Sequence, residues 1–105
     1  MFELNTESNG NQSFVIGLKG EIDIYSAPSF KESLSQAINK VEGNITLECS
    51  ELSYIDSMGL GILVGALKNV RNKGYDIIIR NPKGTVRKLF KITGLDKAFI
   101  IEEVL

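Results

Sequence analysis

Apolar residues recur at Ala27, Phe30, Leu34, Ile38 and Val41, and again at Leu60, Leu63, Val64, Leu67 and Val70. Each set falls on one face of a helical turn and predicts an amphipathic helix. Ser26 stands before the first set as an N-cap, Pro28 follows where a missing N–H is harmless, and Gly43 reads as the stop. The second helix opens at Asp56-Ser57, where an extended segment ends, and runs to the basic stretch Lys68 to Lys73. Positive charge there suits the helix dipole, and Gly74 caps it. Val86, Leu89, Phe90 and Thr93 mark a shorter helix ended by Gly94.

Between these lie segments of strand character. Phe2 to Asn5 and Ser13 to Leu18 read as two strands, and the polar stretch between them carries the turn signal Asn9-Gly10, so a hairpin is expected. Gly20 marks a bend or bulge as the second strand leads on through Asp23 to Tyr25. Asn44 to Cys49 alternates Ile45 and Leu47 against Thr46 and Glu48, and Ser50 to Ile55 reads as a connection. Ile77-Ile78-Ile79 is a continuous apolar run suited to an interior strand. Asn81 to Gly84 is a loop, Phe99 to Ile101 a last short strand, and Glu102 to Leu105 a fraying end.

Strands joined through helices run parallel with right-handed crossovers, and the hairpin adds an antiparallel strand. The expected fold class is therefore a small α/β domain: a mixed β-sheet, N-terminal hairpin first and β-α-β-α-β units after it, packed with helices. In such sheets the working surface lies beyond the carboxyl ends of the parallel strands. Asp23 follows one strand and Asp56-Ser57 the next, so they are expected to be neighbours in space.

The chain's 105 residues predict one domain spanning residues 1–105. Hydrophobic residues at 43% and charged residues at 24% are ordinary for a soluble domain. A net charge of −1 offers no global field for nucleic acid. The apolar run from Met58 to Leu67 is too short to span a bilayer. The start, Met-Phe-Glu-Leu, has no signal-peptide core. The lone Cys49 excludes an internal disulfide and suits a reducing cytoplasm. The chain has no histidine, which removes the usual general base, metal ligand and pH switch together.

That bounds the candidate chemistry. Ser57 is either a helix N-cap, worth about 1 kcal/mol, or a regulatory hydroxyl, and one residue can be both. Nucleophilic catalysis is disfavoured: Ile55 stands where a Gly-x-Ser-x-Gly elbow needs glycine, and no histidine exists to take the proton. Gly59, Gly61 and Gly65 inside the helix each cost roughly 1 kcal/mol relative to alanine, so something must approach the backbone, either the sheet or a partner. Their spacing is not the dinucleotide fingerprint, and packing on the sheet is the favoured cause. Asp23 is a loop carboxylate or part of a binding surface. Asp23 and Asp56 without a third ligand make a poor cation site. Cys49 reads as an inert strand thiol, and Lys68, Arg71 and Lys73 as a solvated helix end rather than a nucleic-acid patch.

Asp56-Ser57-x-Gly59-Leu60-Gly61 resembles the signature of STAS-domain proteins, specifically the bacterial anti-sigma factor antagonists. Gly20-Glu21-Ile22-Asp23 before Ser26-Ala27-Pro28 is similar to the family's entry into its first helix. Leu89-Phe90-x-Ile92-Thr93-Gly94-Leu95 is similar to its last conserved helix and cap. The resemblance spans nearly the whole chain, with its motifs in the family's order.

The resemblance implies a non-enzymatic, cytoplasmic phosphoprotein that regulates transcription. Its unphosphorylated form binds an anti-sigma factor that is also a serine kinase of the GHKL type, which frees the sigma factor. Phosphorylation at Ser57 ends that binding, and a PP2C-type phosphatase restores it. The implied partner-binding set is Asp23, Asp56, Ser57, Met58 and Gly59. No cofactor, metal, nucleic acid or membrane is implied, since ATP and magnesium belong to the kinase. The alternative is a STAS-type regulatory subunit of a transporter or signalling scaffold. Two features depart from the family pattern. Met58 stands where many relatives carry a small polar residue, and the C-terminal helix of some relatives is expected to be short or missing.

Overall fold

A computed structural model describes residues 1–8 and 13–104. The elements are β1 (Phe2–Ser8), β2 (Ser13–Ile22), α1 (Ala27–Asn39), β3 (Asn44–Ile55), α2 (Ser57–Asn72), β4 (Ile77–Arg80), α3 (Gly84–Ile92), a 3-10 turn (Leu95–Lys97) and β5 (Ile100–Glu102). They form a five-stranded sheet in the order β1-β2-β3-β4-β5. β1 is antiparallel to β2, and the other pairs are parallel. This is the mixed α/β fold expected. The Asn9-Gly10 turn lies outside the described residues.

Because the parallel strands follow one another across the sheet, right-handed crossovers put their helices on the same side. One core joins Ile16, Leu47 and Ile79 of the strands to Phe30 and Leu34 of α1, Leu63 and Leu67 of α2, and Phe90 of α3. The predicted face of α1 is buried throughout, from Ala27 to Ile38, with Val41 beyond its end. Phe90 meets Phe99 edge-on with ring centres 5.7 Å apart, which anchors the chain ahead of β5.

Several expectations shift. β3 does not end at Cys49 but continues to Ile55. Its second half pairs with β2 through Glu51, Leu52, Tyr54 and Ile55, and Leu52 and Ile55 are buried. Two register shifts, each adding one residue to β3, spoil the alternation there, which is why the segment looks like a connection in the sequence. They lie opposite Gly17–Lys19 and Gly20–Glu21 of β2, and Gly20 itself has φ +92°. A Cβ at Gly20 would stand 2.4 Å from the Met1 carbonyl oxygen, so the hairpin's own backbone requires glycine. α1 ends at Asn39 with Lys40 as its cap. Gly43 is not among the left-handed glycines, whereas Gly74 and Gly94 are, at φ +89° and +75°.

Candidate functional site

The last β2–β3 pair is Ile22 with Ile55. One residue on, the amide of Asp56 donates to the carbonyl of Ile22 at 3.2 Å. Both chains then leave the sheet at its carboxyl end. β2 turns through Asp23 to Ser26 into α1, and β3 passes directly into α2. The two loops carrying the predicted residues are thereby held side by side.

Asp23 organises its own turn. Its Oδ1 accepts from the amides of Tyr25 and Ser26, each at 3.0 Å, and from the Ser26 hydroxyl at 3.2 Å. Its carbonyl accepts from the amide of Ala27 at 2.8 Å. The Ser26 hydroxyl oxygen accepts from the Asp23 amide at 2.9 Å. Ser26 therefore occupies the N-cap position of α1 but makes no side-chain cap; its hydroxyl faces back into the turn. The Ser26 amide chiefly holds the Asp23 carboxyl below its ordinary pKa, against the opposing cost of desolvation, with help from the Ser26 hydroxyl and the Tyr25 amide.

Asp56 caps α2. Its backbone is extended, its carboxylate accepts from the Gly59 amide at 3.0 Å, and its carbonyl accepts from the Leu60 amide. The cap is thus Asp56, and Ser57 is the first residue of the helix, with an exposed side chain. Met58 beside it is 50% exposed. The amides of Ser57 and Met58 precede the first helical hydrogen bond and aim the positive end of the helix dipole at the serine.

The glycines divide. A Cβ on Gly59 would lie 2.6 Å from Cγ1 of Ile55 and 2.9 Å from Cγ2 of Ile22. Gly59 is the point where α2 rests on the sheet, and it is buried. A Cβ on Gly61 or Gly65 would meet nothing within 4 Å, so sheet packing does not explain them. They line a groove of about 480 Å³ between α1 and α2, together with Ser57, Met58, Lys31 and Ile62.

Asp23, Asp56, Ser57 and Met58 are thus brought to one end of the sheet, with Gly59 beneath them. Both carboxylates are engaged by amides of residues that follow them, in the turn for Asp23 and in the first turn of α2 for Asp56, and among the described residues no acidic, cysteine or histidine group is clustered to hold a metal. Cys49 lies away from this end, fully buried in β3, and burial pushes its thiol up to about 12. What the end of the sheet offers chemically is an accessible hydroxyl at a helix N-terminus. Sequence reasoning passes over Ile24 and Tyr25, which are 57% and 91% exposed in the turn organised by Asp23. The available signal is two large apolar residues in a stretch too short to belong to either neighbouring element.

The family model described as STAS domain matches residues 3–105. The chain is 38% identical over 91 residues to the anti-sigma-B factor antagonist of Listeria monocytogenes, covering 85% of this chain and 78% of that protein. It is 33% identical over 93 residues to the antagonist of the same name from Bacillus subtilis, covering 88% and 84%. Among solved structures it resembles the anti-sigma factor antagonist SpoIIAA in its unphosphorylated form, with TM-score 0.81 and 28% identity over 98% of this chain and 89% of that one. It also resembles the Bacillus cell fate determinant SpoIIAA in the phosphorylated form, with TM-score 0.74 and 27% identity over 98% and 92%.

Proposed function

The chain belongs to the STAS domain family, and on that premise we propose that it is an anti-sigma factor antagonist switched by phosphorylation of Ser57. Unmodified, it binds an anti-sigma factor through the end of the sheet that carries Asp23, Asp56, Ser57 and Met58, with Gly59 setting the height of the helix beneath them. That binding releases a sigma factor. The anti-sigma factor is also a GHKL-type serine kinase: it transfers a phosphoryl group from ATP to the Ser57 hydroxyl, and the antagonist leaves. A PP2C-type phosphatase hydrolyses the ester and resets the cycle. The chain itself works in the cytoplasm as a binding protein and phosphoryl acceptor, not as a catalyst.

One observation carries this reading: Ser57 is exposed as the first residue of α2, beside the turn built by Asp23. A phosphoryl group there adds about −1.5 to −2 charges next to unpaired amides and the positive dipole end. The isolated domain can therefore carry it without refolding, since the apolar face of α2 stays buried in the core. The cost falls on the complex, where an interface closed over an unmodified serine has no space for the phosphoryl group and strips it of water. The chain, incubated with the anti-sigma factor of its own organism and ATP, should gain a single phosphate on Ser57 by mass spectrometry. Ser57→Ala should gain none. Phosphate on another residue, or no phosphate on the unaltered chain, contradicts the proposal.

A further inference from the structure

We propose that Ile24 and Tyr25, together with Met58, form the apolar anchor of this interface, and that they seat in an apolar slot rimmed by basic side chains on the anti-sigma factor. This rests on the function proposed above and names the part of the surface that supplies its affinity.

Tyr25 is 91% exposed, Ile24 57% and Met58 50%. All three stand within four residues of the terminal Ile22–Ile55 pair, Ile24 and Tyr25 in the turn after β2 and Met58 in the first turn of α2, on segments joined by the Asp56 to Ile22 hydrogen bond. Large apolar side chains left in water contribute little to the fold, and when grouped beside a candidate site they mark an interaction surface. Tyrosine in particular offers a large contact area with few rotatable bonds, and it is enriched among residues that dominate binding energy.

The turn is also built to hold them. The Asp23 carboxylate takes the Tyr25 and Ser26 amides, and the Ser26 hydroxyl closes the loop from the other side. The backbone that roots Ile24 and Tyr25 is thus ordered before a partner arrives, which lowers the entropy cost of binding. Asp23 acts here as a positioning residue.

The surroundings set the partner's chemistry. Glu21, Asp23 and Asp56 flank the anchor, and among the described residues none of them takes part in an ion pair. Of the described residues that line the α1–α2 groove with Ser57 and Met58, Lys31 is the one cation. An apolar patch within an acidic border is complemented by an apolar slot with lysine or arginine at its rim.

The test is titration calorimetry of the chain against the purified anti-sigma factor of the same organism, alongside thermal melting. Tyr25→Ala should weaken binding by about thirty-fold or more, and Tyr25→Phe should retain most of it. Both variants should melt with the unaltered chain, because the ring packs against nothing in the free protein. Raising salt from about 0.05 M to about 0.5 M should weaken the unaltered complex. Tyr25→Ala binding as tightly as the unaltered chain overturns the anchor, even if Ser57 phosphorylation still abolishes binding. If the unaltered chain does not bind the anti-sigma factor at all, the proposed function itself is overturned, and this inference with it.

Discussion

Ile22 and Asp56 are joined across the end of the sheet: the Asp56 amide donates to the Ile22 carbonyl at 3.2 Å. That bond fixes where α2 begins relative to the turn that leads into α1. Gly59 lies over the same place, with the Ile22 and Ile55 side chains beneath it. The position of Ser57 therefore depends on buried residues a few ångströms below, not on the loop surface alone.

The glycines of α2 should separate on substitution. Gly59→Ala puts a methyl 2.6 Å from Ile55 and 2.9 Å from Ile22. Both isoleucines are fixed in strands and buried, so overpacking should cost about 1–3 kcal/mol in chemical denaturation. Gly61→Ala and Gly65→Ala meet open space and should stabilise the chain by up to about 1 kcal/mol each through helix propensity. If they also weaken partner binding, the groove they line lies within the interface.

Asp56→Ala removes the cap on the Gly59 amide and should cost about 0.5–2 kcal/mol of stability. Asp56→Asn keeps an acceptor oxygen and should stay close to the unaltered chain in the same denaturation experiment. An equal loss for both variants would assign the effect to the charge rather than to the cap.

Asp23 sets a pH response in its turn. Its folded pKa lies below the ordinary 3.8, so the carboxylate's hydrogen bonds contribute fully above that value. They are lost as pH falls through the lower folded one. Amide chemical shifts of Tyr25 and Ser26 should stay flat from neutral pH down to about pH 4 and move together below it. Movement between about pH 5 and pH 7 would contradict the assignment.

Cys49 should report unfolding rather than redox state. Its thiol is fully buried and its pKa is pushed up to about 12, so thiolate is scarce at neutral pH. Labelling by a thiol reagent should be slow in the native protein and should accelerate with denaturant in step with global unfolding.

Much of this is legible in the sequence because the apolar spacing of α1 and α2 and the run Ile77 to Ile79 report burial directly. The placement of Asp23 beside Asp56-Ser57 follows from strand order alone. The second half of β3 is hidden because two extra residues in its pairing with β2 break its alternation. The cap of α2 is displaced by one residue, since Asp and Ser are equally able caps and only backbone geometry chooses between them. Gly43 misleads as a stop because a C-terminal glycine is informative only where φ is positive. Tyr25 escapes notice because exposure of an apolar residue leaves no periodic trace.

The central claim is that a phosphoryl group on Ser57 acts on the complex and not on the fold. Its most direct test is the affinity of the anti-sigma factor for the unmodified chain and for the same chain phosphorylated at Ser57, with backbone amide shifts recorded for both. The account predicts binding weaker by about thirty-fold to a few thousand-fold, equivalent to roughly 2–5 kcal/mol, with shift changes confined to the start of α2 and the Asp23 turn. Equal affinity for the two forms, or a loss of affinity accompanied by shifts across the whole sheet, would contradict it.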